Sequence, residues 1–352
     1  MPTEPRPVPS RPDDTSAVMR FARWTGRCDS DTKDFLTLTE RPDVISLAGG
    51  LPAPEIFPAN AVAAAVQSVL KAHAPRALQY GPTEGIAPLR RLIAERMSAP
   101  GGRRFGPENV LITAGAQQGL DLVGKVFLER GDRLVTQRPT FLGALDAWRP
   151  REPVFEAIGW DGDGRLVLPP SMDGGARRPK FIYALPNFRN PTGETLTRRQ
   201  RTELLAAAAA HRIPIVEDDP YGYLRYDGTA ERSLIAMAED ASGSDVYGGD
   251  VLYHGSFSKT LMPGLRVGWV AAAPAVIERL ALAKQGADLG TSPLSQYVIC
   301  ELLTAGIEEA HLRVIRAHYR ARRDAMLAAL ERHLPGYFTW TRPEGGLFVW
   351  VT

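Results

Sequence analysis

Cysteine and lysine are the scarce residues of this 352-residue chain. Its 2 cysteines, Cys28 and Cys300, stand far apart, with no C-x-x-C pair and no H-E-x-x-H spacing. Neither a disulfide framework nor a metal site is therefore indicated, and a reducing compartment is expected. Long apolar runs are missing as well: stretches such as Leu204 to Ala210 fall short of the roughly 20 residues that cross a bilayer. The stretch Met1 to Asp14 is rich in proline and carries Glu4, Asp13 and Asp14 where a signal peptide needs an apolar core, so a cytoplasmic location is expected. Nor is there an excess of charge of either sign. With 42 basic and 40 acidic residues the formal net charge is +2, too balanced for a phosphate-attracting field, and neither nucleic acid nor a membrane is expected as partner. Lysine occurs only at Lys33, Lys71, Lys125, Lys180, Lys259 and Lys284, so a reactive amine has few candidates.

What remains, 44% hydrophobic and 23% charged, is the composition of an ordinary globular protein, long enough for two domains around large cores. Residues 1–45 read as an N-terminal arm, with a short helix between Phe21 and Thr39 and a strand-like run from Val44 to Leu47. From Val110 onward, short β-branched runs alternate with longer helical patterns. Val110 to Thr113, Arg133 to Thr136, Lys180 to Ala184, Pro214 to Glu217, Val251 to Ser256 and Val267 to Ala272 read as strands. Gln117 to Leu128 and Thr197 to His211 read as helices, with Thr197 as N-cap. This alternation predicts an α/β domain over 46–288, with a mostly parallel sheet and helices on both faces. A smaller α+β domain, 289–352, begins after the break at Gly290 to Pro293. Apolar spacing from Ile307 to Leu330 predicts a long helix there, followed by strand-like runs at Tyr337 to Thr341 and Gly346 to Thr352. The last run ends without a polar tail or closing helix, so this domain is expected to be incomplete.

Four segments carry chemistry. In Ser256-Phe257-Ser258-Lys259, a lysine follows a buried strand, and Arg266 comes seven residues later, before the next strand. That spacing suits a ligand with both an aldehyde and a phosphate; it also suits a surface turn with a solvated lysine. Asn190-Pro191-Thr192-Gly193 follows a strand and has turn composition. Glu217-Asp218-Asp219-Pro220-Tyr221 stands at a strand's carboxyl end, where open α/β sheets place ligands. Acidic groups there suit Mg²⁺, a ribose or a protonated ring nitrogen. Thr113-Ala114-Gly115-Ala116-Gln117-Gln118 joins a strand to a helix whose N-terminus suits a phosphate, or simply close packing.

Together and in this order, these segments resemble the fold-type I, pyridoxal phosphate (PLP) dependent aminotransferases of class I and II, and within them the 2-aminoadipate and kynurenine aminotransferase subgroup. Ile45-Ser46-Leu47-Ala48-Gly49-Gly50-Leu51-Pro52, Leu78-Gln79-Tyr80-Gly81-Pro82-Thr83-Glu84-Gly85 and Pro139-Thr140-Phe141 extend the likeness. The resemblance implies amino-group exchange between an L-amino acid and a 2-oxo acid by a ping-pong route. It implies that Lys259 is the Schiff-base lysine and proton carrier, its pKa lowered by burial and by cations such as Arg266. Asp218 would hold the pyridine nitrogen protonated; an ion pair at about 4 Å is worth roughly 4 kcal/mol at an effective dielectric near 20, enough for that task. Tyr221 and Asn190 would bond the cofactor's phenolic oxygen, and Phe141 would stack on its ring. Arg266, Ser256, Ala116 and Gln117 would hold the phosphate. Tyr80 would reach the phosphate of a neighbouring subunit, which implies a homodimer.

The chain departs from the family pattern in places. Ala116 replaces a usual serine, and Gln137-Arg138 a more acidic pair. The family's arginine for the substrate α-carboxylate falls in a segment beyond Phe348 for which this chain has no position, leaving Arg23 and Arg27 as candidates. Alternatives within PLP chemistry are elimination, decarboxylation, racemisation or oxidation at Cα, or a truncated PLP-binding protein without turnover. Asp161-Gly162-Asp163-Gly164 resembles the start of a calcium loop but lacks the later glutamate, so a hairpin turn is expected. His254, just before Ser256, suits either a cofactor contact or a satisfied structural histidine.

Overall fold

Short runs of β-branched and aromatic residues become the strands of one sheet in the computed structural model, which describes residues 21–27, 43–47, 49–98, 104–174, 178–238, 240 and 243–352. They are β1 (Val110–Thr113), β2 (Arg133–Gln137), β3 (Val154–Trp160), β4 (Leu166–Val167), β5 (Ile182–Ala184), β6 (Ile215–Asp218), β7 (Val251–Ser256) and β8 (Gly268–Ala271). The spatial order is β1-β8-β7-β6-β5-β2-β3-β4. From β7 through β6, β5 and β2 to β3 the pairs are parallel. Strand β8 runs against both its neighbours, and β4 against β3. The mostly parallel sheet expected from the alternation is therefore present. β1, β5, β6, β7 and β8 are buried along their whole length, as strands covered on both faces must be.

The covering helices are α1 (Ala59–Ala77), α2 (Ala87–Met97), α3 (Ala116–Phe127), α4 (Leu142–Trp148), α5 (Arg198–His211), α6 (Leu234–Met237), α7 (Pro274–Asp288), α8 (Pro293–Thr304) and α9 (Ile307–His333). Because strand side chains alternate, Ile112, Ile182 and Ile215 face one way, joining Val69, Leu89, Ile93, Leu204, Val298 and Ile299. Leu111, Tyr183, Val216 and Leu252 face the other way, with Leu120 and Val123 of α3 and Ile277 and Leu280 of α7. Successive residues of one strand thus feed two separate cores. No described helix is long and apolar enough to cross a membrane.

Several sequence expectations are corrected. Val44 to Leu47 forms no strand: Ile45 is 90% and Leu47 78% exposed, with no sheet edge beside them. The two terminal runs pair only locally, through a bridge between Trp340 and Val351 and bonds such as Thr341 N to Trp350 O. Helix α9 forms as expected, but its buried residues Glu308, His311, Leu312, Ile315 and Tyr319 all lie in its first half. Strand β3 was not expected. Its first residues, Val154 and Phe155, are exposed, so they lack the signature of a buried strand. The Asp161 segment is a hairpin turn between β3 and β4, with Asp161 Oδ1 accepting from Asp163 N and Arg165 N. At the N-terminus a short 3-10 turn, Arg23–Arg27, packs beside residues 149–151. The side chains of Arg23 and Arg27, like residues 1–20 and 28–42 of the arm, lie outside the described residues.

Helix α5 starts where the sequence placed it. Thr197 Oγ1 accepts from Gln200 N, while Gln200 Oε1 accepts from Thr197 N at 2.9 Å, a reciprocal capping box. Thr197→Ala should lower stability by about 1 kcal/mol in denaturant unfolding; an unchanged midpoint would mean that the box does not hold this helix start.

Candidate active site

The carboxyl ends of β5, β6 and β7 open on one edge of the sheet, and β6 ends in Glu217 and Asp218, followed at once by Asp219, three acidic residues whose side chains alternate in direction. Glu217 turns to one face and accepts from Leu234 N at 2.8 Å and Ile235 N at 2.9 Å, capping α6. Burial nevertheless pushes its carboxyl up to about 8. Asp219, on the same side, accepts from Gly222 N at 2.9 Å. Asp218 turns to the other face. It is 2% exposed, and its Oδ2 accepts from the Tyr183 hydroxyl at 2.6 Å. Its Oδ1 is buried without a protein partner. Desolvation outweighs the Tyr183 hydrogen bond and, with a further push from Asp219, raises the Asp218 carboxyl to about 7. Among these three, only Asp218 keeps an oxygen in reserve.

Beyond β7 the chain turns through Phe257 and Leu261, both buried, which fix the intervening Lys259. Lys259 Nζ donates to Gly50 O at 3.1 Å. Burial, and then the charge of Arg266, lower this amine to about 8. Arg266, in the left-handed region at φ 51°, donates to Ala114 O at 3.1 Å. Gly115 is required beneath it: φ is 82°, and an added Cβ would lie 2.5 Å from the guanidinium. There α3 begins at Ala116, its first N–H groups lacking carbonyl partners within the helix. The Ser256 hydroxyl accepts from Ser258 N at 3.1 Å. The Gln117 side chain donates to Gly143 O at 2.7 Å, so it ties α3 to α4. Half-buried Phe141 starts α4 and packs so closely that a Cβ on Gly143 would come within 2.4 Å of its ring.

The turn at Asn190 to Gly193 is held from below. Arg201, fully buried, donates to Leu196 O, Pro186 O, Arg232 O and Asn187 Oδ1 at 2.6 to 3.0 Å, gathering the loop ends around one guanidinium. Gly193, at φ 71°, lies where an added Cβ would meet Phe348 O at 2.4 Å. Phe348 also stands edge-on to Tyr221, with ring centroids 5.6 Å apart. Tyr221 is buried, and its phenol is raised by desolvation and by Asp218, with a hydrogen bond to Asn190 opposing.

Contacts, and the charges of Arg266 on Lys259 and of Asp218 on Tyr221, thus link most of the residues singled out in the sequence. They run from Ala114 and Gly115 to Arg266, from Lys259 to Gly50, from Gly50 to Phe348, and on to Tyr221, Asn190 and Asp218. Tyr80 stands apart, 85% exposed. Sequence reasoning missed Tyr183 and Arg201, and it gave no role to Gly50 or Phe348. The signal for Tyr183 was parity: it pairs with Val216, two residues before Asp218, so the two side chains share a face. A cavity of about 480 Å³ is lined by Asp219, Tyr253, Tyr223, Arg96, Arg225 and Arg316 among others, and by neither Lys259 nor Asp218. Its arginines Arg96 and Arg225 are already paired, with Glu308 and Glu344.

Comparison with known proteins gives a consistent result. Residues 42–352 match the model of the family described as aminotransferase class I and II. Aromatic-amino-acid aminotransferase 1 of Thermococcus litoralis is 42% identical over 328 residues, 92% of this chain and 77% of that protein. The 2-aminoadipate transaminase of Thermus thermophilus is 42% identical over 334 residues, 94% of this chain and 81% of that protein. Among solved structures, the alpha-aminoadipate aminotransferase of Thermus thermophilus complexed with N-(5'-phosphopyridoxyl)-L-leucine matches with a TM-score of 0.81. Its sequence identity is 40%, and the match covers 94% of this chain and 81% of that one.

The raised carboxyl of Asp218 has a consequence for stability. A group near 3.8 when unfolded and about 7 when folded gives the native state the extra proton between those values. Stability therefore falls as pH rises through that window. Asp218→Asn removes the penalty while still accepting from Tyr183. The cofactor-free variant should be more stable than the parent at pH 8 by about 2 to 4 kcal/mol, with the gap shrinking towards pH 5. A variant less stable than the parent at pH 8 would contradict this assignment.

Proposed function

This chain belongs to the class I and II aminotransferases, enzymes that use PLP to move an amino group between an amino acid and a 2-oxo acid, and on that basis we propose which of its residues carry the reaction. The observation that carries the proposal is the pairing of a buried amine lowered to about 8, Lys259, with a buried carboxylate that keeps one oxygen free, Asp218. The surrounding residues fit PLP. Gly115 leaves room for Arg266 over the start of α3, where a phosphate would be held by Arg266, Ser256 and the backbone at Ala116 and Gln117. Phe141 would cover the ring, and Tyr221 with Asn190 would bond its phenolic oxygen.

When bound, PLP supplies an electron sink for the pair left at the amino acid's Cα. Lys259, uncharged above about pH 8, is the group that would take the proton from Cα and return it at the cofactor's C4′. Asp218, as a carboxylate, would hold the proton on the ring nitrogen, with Tyr183 donating to it and fixing its position. Buried Tyr221 and half-buried Phe348, edge-on to each other, would exclude water on one side.

The finer reading belongs to the same proposal. Residues 46–288 are taken as the PLP-binding domain and 289–352 as a smaller one, docked through α8 against α1. The names of the relatives favour an aromatic or 2-aminoadipate-like L-amino acid as donor. A cytoplasmic homodimer acting in amino-acid metabolism is favoured by the cysteine pattern and by exposed apolar side chains at Ile45, Leu47, Leu78, Tyr80 and Leu289. Thr83 Oγ1 donates to Leu289 O, so two of these stretches lie together. Tyr80 would then reach the neighbouring site.

Purified protein with PLP should transfer amino groups from members of an L-amino-acid panel to 2-oxoglutarate, with aromatic donors and 2-aminoadipate among the best. Lys259→Ala should lower turnover roughly 10³-fold or more; transfer retained in that variant would sink the assignment. The rate of PLP capture by the cofactor-free protein should rise with pH and level off above about 8, as the amine loses its proton. A rate that is flat from pH 6 to 10 would contradict it. Sedimentation should show twice the chain mass, and a monomer at micromolar concentration would remove the Tyr80 reading.

A further inference from the structure

His254 is neither a satisfied histidine nor part of the reaction as described above. It is fully buried in the middle of β7, and neither ring nitrogen has a protein partner. Its neighbours on this face are Asp218 on β6, directly across in the parallel register, Val270 on β8, and Gly119 on α3. The backbone is pinned, since Asp219 N donates to His254 O at 3.0 Å. The ring fills the space that Gly119 leaves, where an added Cβ would stand 2.9 Å from Nδ1. The wall around it, with Val216, Leu252 and Val270, would accept a leucine at no polar cost. A neutral imidazole brings one donor and one acceptor into that wall, both of which it strips of water. Beside it, Asp218 Oδ1 is also buried and also without a partner. Two neighbouring polar groups, each lacking what the other can offer, occupy one stretch of an otherwise apolar face.

We propose that His254 is a positioning residue for Asp218, its ring N–H being the donor available to the oxygen that Tyr183 leaves unpaired, so that Asp218 stays ionised towards the ring nitrogen of bound PLP. This rests on the reading of Asp218 given above. No hydrogen bond joins the two side chains in the structure, but they belong to paired residues of adjacent parallel strands and so stand side by side on one face of the sheet. Burial lowers the imidazole to about 3, so His254 remains an uncharged donor at working pH. It therefore does not compete with the protonated ring for the carboxylate, as a cationic side chain in its place would.

The test uses holoenzyme reconstituted with PLP labelled with ¹⁵N at the ring nitrogen, in the parent and in three variants. The parent should show the chemical shift of a protonated ring nitrogen, and Asp218→Asn that of a neutral one. His254→Leu should move the shift towards neutral, release PLP about tenfold faster, and lower kcat about tenfold while KM changes little, as expected for the loss of a hydrogen bond to a charged group. His254→Asn, which keeps an N–H donor, should recover most of the shift and of the retention. If His254→Leu keeps the parent's shift and PLP release rate while Asp218→Asn loses the protonated signal, the inference about His254 falls and the role of Asp218 stands. If Asp218→Asn itself keeps the protonated signal, the reading of Asp218 fails and takes His254 with it.

Discussion

Desolvation of two ionisable groups at the carboxyl edge of one sheet is the constraint on which the rest depends. Asp218 ends β6 and Lys259 lies in the turn beyond the adjacent parallel strand β7, and burial moves each towards its neutral form, with pKa values of about 7 and about 8. In water neither would have a pKa near neutrality. The cost is carried by the two apolar cores that the sheet separates, one with α1, α2, α5 and α8, the other with α3 and α7. Sheet and site are coupled because the residues that end the strands also begin the site.

Close packing, more than charge, shapes the cradle around these groups. At Gly115 and Gly193 a side chain would meet the Arg266 guanidinium or the Phe348 carbonyl. Each marks a point where one segment has to touch another: α3 against the turn that carries Arg266, and the Asn190 turn against the C-terminal stretch. Arg201 does similar work in polar form. Its buried guanidinium collects four acceptors, three from the two ends of the loop between β5 and α5 and one from Arg232, and leaves the Asn190 turn little freedom. Tyr183 fixes Asp218 in the same way, one strand over.

Much of this was legible in the sequence. Strands β1, β2, β5, β6, β7 and β8 are short and apolar and are bounded by turn residues, so composition located them to within one or two residues. The cap at Thr197 was legible for a local reason, since both partners of its box lie within one turn. Strand β3 was not, because its exposed first half lacks the apolar run of a buried strand. Val44 to Leu47 misled in the opposite direction: a strand-like composition without a neighbouring edge stays extended and exposed. At the site, each motif alone was ambiguous, and the residues became visible because four segments in this order resemble a known family. Tyr183 and Arg201 were hidden because each acts through a contact that only the folded register creates.

The central claim is that one particular amine, out of six lysines, lies in a pocket shaped for PLP. The most direct test is to load the purified protein with PLP, reduce it with borohydride, digest it and locate the pyridoxyl group by mass spectrometry. The account predicts near-stoichiometric label on the peptide that contains Lys259 and none above background elsewhere. Label spread over exposed lysines such as Lys71 and Lys180, or concentrated on Lys284, would contradict it.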